Sequence, residues 1–63
     1  MDLKQFATMD TVMLMSIVNM KLRDDFAGDL DKLVRYFELD RAQLEAKLAE
    51  AGFEFLPDAG QFR

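Results

Sequence analysis

The chain has neither cysteine nor histidine. Without cysteine there is no disulfide to staple the fold and no thiolate to hold a metal. Without histidine the commonest general base and the commonest metal ligand are both gone. Glycine is sparse, and none of it forms a glycine-rich phosphate loop; the only proline is Pro57. No apolar run approaches the ~20 residues that span a bilayer. The longest near the start, Val12 to Val18, has no basic leader, since Asp2 and Asp10 flank Lys4, and no small-residue cleavage site follows it. These absences argue against an enzyme, a metal or cofactor site, a secreted chain and a membrane span. They make the cytoplasm the default compartment.

What is present is a small, mildly acidic chain: 63 residues, half of them hydrophobic, with net charge −4. That composition predicts one small folded domain over residues 1–63. A chain this short buries only about 60% of the surface its unfolded form exposes. Its stability is therefore marginal unless a staple or a partner adds to it. The acidic balance keeps the domain soluble and repels phosphate backbones, so it gives no reason to expect nucleic acid.

The apolar pattern predicts three helices and a hairpin. Residues 1–9 read as an extended leader with Leu3, Phe6 and Met9 as single anchors. Asp10 caps a first helix over 10–24. Between Val12 and Leu22 only Ser16, Asn19 and Lys21 are polar. A helix apolar on nearly every side needs burial on nearly every side. Asp24 to Gly28 reads as a break, with Gly28 free to take positive φ. Asp29 caps a second helix over 29–37, whose Leu30, Leu33, Val34 and Phe37 fall at helical spacing on one face. Leu39 and Asp40 make a corner. Asp40, with Gln43 three residues on, opens a third helix over 40–51 with Leu44, Leu48 and Ala51 as its buried stripe. Gly52 falls where a left-handed helix end is expected. Residues 53–63 then read as a β-hairpin: Phe53 and Phe55 share one face, Leu56 to Gly60 is turn chemistry, and Phe62 rejoins the aromatic face. The fold class is mainly α, a compact three-helix helix-turn-helix with a C-terminal hairpin, winged-helix-like.

With these residues placed, the chain resembles a family of small bacterial proteins known only as domain of unknown function 4250. The resemblance rests on Val12-Met13-Leu14, Val18-Asn19, Lys21-Leu22-Arg23-Asp24, Leu39-Asp40, Leu44, Lys47-Leu48 and Gly52-Phe53, and covers roughly Asp10 to Phe62. The chain departs from the family pattern at Thr11, where proline is expected, and at Phe53 and Phe55, where tyrosine is usual. The resemblance implies a fold boundary and no mechanism.

Two functional readings follow from the residues. The first is a non-catalytic protein–protein interaction module, self-association being its simplest form. The surplus apolar surface of helix one would carry it through Met13, Ile17, Asn19, Met20, Lys21 and Arg23. Methionine is over-used on adaptable binding surfaces as well as in cores, and Met9, Met13, Met15 and Met20 crowd this end of the chain. Lys21 and Arg23 also complement the helix dipole, and Asn19 is either a structural hydrogen-bonding group, fastening the loop after the helix, or part of the patch. The alternative is a small DNA-binding regulator, in which helix three would present Arg41, Gln43 and Lys47 to the major groove. Against that stand Glu45, Glu50, Glu54 and Asp58. From Asp29 onward there are eight acidic and five basic residues, a net −3. Glu38 also occupies the corner where a helix-turn-helix prefers glycine. Asp24, Asp25, Asp29 and Asp31 do not fit the spacing of a calcium loop and read as solvated loop and caps. Helix one lacks the basic face of a membrane-surface helix.

Overall fold

The structure, a computed structural model, describes the backbone of residues 3–63 and the side chains from Gln5 onward, and every structural statement concerns those residues. A 3-10 segment at Leu3–Thr8 leads into α1 (Thr11–Asp25), α2 (Leu30–Phe37) and α3 (Arg41–Ala49). Strands β1 (Phe55–Leu56) and β2 (Gln61–Phe62) pair antiparallel. Three helices with a C-terminal hairpin are the winged-helix-like plan the spacing predicts.

All three helices begin in the same way. Asp10, Asp29 and Asp40 each stand in extended backbone just before a helix. Their carboxylates accept the main-chain N–H three residues on, from Met13 at 3.1 Å, Lys32 at 3.1 Å and Gln43 at 3.2 Å. Each satisfies a donor that the first helical turn leaves without a partner. Two helices also end alike. At the α2 terminus Glu38 takes φ 57, its N–H donates to the Arg35 carbonyl, and the Leu39 N–H donates to the Val34 carbonyl. At the α3 terminus Gly52 takes φ 83, with bonds from Gly52 to Ala49 and from Phe53 to Leu48. Both are the paired closure that a left-handed residue permits. Glycine adopts that backbone freely, and glutamate does so against a Cβ penalty.

Leu14, Val18 and Leu22 of α1, Leu30, Leu33 and Val34 of α2, Leu44 and Leu48 of α3, Phe62 of β2 and Phe6 form the core. Phe37, Leu39, Phe53 and Phe55 pack half-buried around it. No polar side chain is fully buried among the described residues.

Four expectations are corrected. The leader is not extended: it coils into a 3-10 segment, because a few local bonds (Met9 N–H to Phe6 carbonyl, Thr8 hydroxyl to Gln5 carbonyl) let Phe6 reach the core against α3. Of its expected anchors Phe6 is buried and Met9 half-buried, while the Leu3 side chain lies outside the described residues. Helix α3 ends at Ala49, not Ala51; its last turn tightens, with Ala51 donating to Leu48, and Ala51 is exposed rather than part of the buried stripe. Strand pairing starts later than Phe53, whose N–H is spent on closing α3. Asn19 fastens the hairpin and not the loop after α1: its amide donates to the Phe62 carbonyl at 3.0 Å, and its oxygen accepts the Phe62 N–H at 2.7 Å.

That last pair follows from strand register. Glu54 and Arg63 exchange both main-chain bonds, at 2.9 and 3.0 Å. The next opposed pair, Phe55 and Phe62, therefore points its main-chain groups outward. On the β2 side Asn19 meets them.

Candidate interaction surface

The solvent side of α1 carries the surface the sequence singles out. Leu14, Val18 and Leu22 turn inward, and Met15 and Ile17 are half-buried. Val12, Met13 and Met20 remain 55%, 52% and 54% exposed. Met13, Ile17 and Met20 recur at helical spacing and so form one ridge. The exposed, small Ser16 lies beside it. Two short helices and a hairpin cover only part of a helix's circumference, and α1 is apolar beyond what they cover.

Beside the ridge runs an open groove of about 710 Å³ between α1 and the hairpin turn. Ser16, Asn19, Met20 and Arg23 form one wall, and Pro57 and Asp58 stand in the other. Its floor is the contact of two glycine backbones. A Cβ on Gly60 would sit 3.0 Å from the Gly28 Cα, so a side chain at either position would press the two backbones apart. Arg23 and Asp24 pair at 3.0 Å at the groove end, both on exposed side chains. Their hydrogen bond raises the Arg23 pKa and lowers that of Asp24 below the usual carboxylate range.

Of the six residues expected at the surface, Asn19, Met20 and Arg23 line the groove, and Met13 and Ile17 form the ridge beside it. Lys21 does not join them. It is half-buried, and its ammonium lies 5.4 Å from the centroid of the Phe37 ring. One helical residue turns the direction by about 100°, which takes Lys21 away from Met20. Asn19 bonds to both Phe62 main-chain groups and lies 3.0 Å from the Met15 sulfur. It supports the surface rather than offering free donors to it.

The α3 residues of the DNA-binding alternative are placed differently. Arg41 donates to Asp31 at 2.6 Å and to Glu45 at 3.2 Å, and its guanidinium lies 5.5 Å from the Phe55 ring centroid. The hydrogen bond to Asp31 is the chief cause of its raised pKa. Lys47 is half-buried and Gln43 exposed.

An aromatic cluster of Phe26, Tyr36 and Phe37 lies outside the candidate site residues singled out by the sequence. Phe26 falls in the expected break between α1 and α2, and Tyr36 lies outside the apolar spacing of α2. The signal available was a lone, outward tyrosine beside the inward Phe37.

Residues 8–62 match the family described as Domain of unknown function (DUF4250). The chain belongs to this family. The match spans the three helices and the hairpin but stops short of most of the 3-10 segment. No curated protein and no solved structure matches the chain. Among the described residues, no helix is long and apolar enough to cross a membrane.

Proposed function

We propose that this family member is a non-catalytic interaction module that binds protein through the outer face of α1, in the simplest case a second copy of itself. The observation that supports this most is the exposure of Val12, Met13 and Met20 on one helix of a chain with little core to spare. Contiguous exposed apolar surface with a polar border usually marks an interaction site. Methionine suits such a site because its flexible thioether adapts to the surface it meets. The groove beside Met20 offers the partner a concave edge. The compartment proposed is the cytoplasm, where a cysteine-free chain needs no oxidising environment.

Replacing Met13 and Met20 together with glutamate tests the reading. Both side chains are exposed, so helicity, and the melting temperature of the single chain at dilution, should hardly change, while association and the rise of melting temperature with concentration are lost. Retained association in the double variant would place the contact elsewhere. The DNA-binding alternative receives less support, because Arg41 is already held by two carboxylates. Selection from random duplexes at physiological salt separates the two readings. Enrichment of one motif, abolished by Arg41→Ala, would favour the alternative.

A further inference from the structure

The aromatic cluster lies where α1 and α2 meet. Phe26 follows α1, and Tyr36 and Phe37 close α2. Their centroids are 5.7 Å (Phe26–Tyr36), 6.2 Å (Phe26–Phe37) and 4.9 Å (Tyr36–Phe37) apart, with planes inclined at 61°, 66° and 77°. Three rings steeply inclined to one another make walls rather than a stack. Together with Lys21 and Asp25 they line a hollow of about 420 Å³. Asp25 is one helical turn beyond Lys21 on α1, so it brings a carboxylate to the same side.

Such a hollow favours cations. The face of an aromatic ring carries negative potential, and Asp25 adds a formal negative charge. The chain itself already places a cation against one of these walls, with the Lys21 ammonium 5.4 Å from the Phe37 centroid. A primary ammonium is compact and strongly hydrated. A methylated ammonium presents apolar surface to the rings and keeps its charge, so it suits aromatic walls better.

We propose that the hollow is a binding site for a methylated ammonium head group. Phe26, Tyr36 and Phe37 are its walls, Asp25 is its counter-charge, and Lys21 is the resident cation that the ligand displaces. The site lies off the methionine ridge and does not depend on that ridge being an interface. The head group has two chemical sources, a free quaternary ammonium compound or a trimethylated lysine side chain of another protein.

Tyr36 is the only tyrosine, and the chain has no tryptophan. Tyrosine fluorescence therefore reports on the hollow directly. The full chain is titrated with tetramethylammonium chloride, with sodium chloride as the control at equal ionic strength. The expected result is a saturable change with half-saturation in the millimolar range, absent with sodium. Lys21→Gln removes the competing cation and should strengthen binding roughly 3-fold or more. Asp25→Asn, at an exposed position, should weaken it by about 3-fold. The two variants shift affinity in opposite directions, which a general loss of folding would not produce. No saturable change in either the wild type or Lys21→Gln, or weaker binding in Lys21→Gln, would overturn the proposal. Choline and a short trimethyl-lysine peptide then distinguish the sources. Tighter binding of the peptide than of choline supports a protein-borne head group, and the reverse supports a free one.

Discussion

Asn19 stands in for a third strand. Its carboxamide presents one donor and one acceptor to the outward N–H and C=O of Phe62, as the peptide group of a neighbouring strand would. A two-residue hairpin is marginal by itself in water, and this pair joins it to α1. Asn19→Leu keeps the volume but strands both Phe62 groups beside a buried ring. The expected loss is about 1–3 kcal/mol in urea denaturation; an unchanged midpoint would mean that water satisfies those groups. The glycines make a second residue-scale case. Gly52 and Gly60 both have positive φ, but a Cβ on Gly52 meets nothing within 4 Å while one on Gly60 meets the Gly28 backbone. Gly52→Ala should therefore cost only the left-handed backbone penalty of about 1–2 kcal/mol. Gly60→Ala should cost clearly more in the same thermal melts, because two backbones must separate. Equal losses would show that the hairpin turn moves aside freely.

The elements were legible where local chemistry decides them. Asp10, Asp29 and Asp40 announce three helix starts, and all three cap as expected. Leu33, Val34, Phe37, Leu39, Leu44 and Leu48 announce the inward side of α2, the corner and α3; four are buried, and Phe37 and Leu39 are half-buried. Leu44 and Leu48 are fully buried, so replacing either with alanine should cost about 2–5 kcal/mol. A chain of this length has roughly 3–9 kcal/mol in total, so thermal melts of either variant should show a large drop. Losses below ~1 kcal/mol for both would contradict the packing of α3 against α1 and the leader segment. What the sequence did not show depends on contacts distant along the chain. The partner of Asn19 is 43 residues away, and no spacing rule connects them. The coiling of the leader depends on where Phe6 finds the core. The division of α1 into a buried and an exposed side depends on what the hairpin covers, since its own residues are apolar all round. Lys21 was grouped with Arg23 by adjacency, and the packing of Phe37 draws it away.

At the scale of the whole molecule, the central claim is that α1 has more apolar surface than one copy of this fold covers. Ten side chains make the described core, and every helix contributes to it. Yet Val12, Met13 and Met20 stay outside it. In a chain so short, association adds stability that the core alone does not supply. Met20 belongs both to the groove wall and, by helical spacing, to the ridge of Met13 and Ile17, so one contact can use both. The direct measurement is solution mass by light scattering over a concentration series of the full chain. The account predicts a mass that rises from one chain toward two as concentration increases, and that stays at one chain in the Met13→Glu, Met20→Glu double variant. A wild-type mass equal to a single chain, 7.3 kDa, at every concentration would contradict self-association through α1.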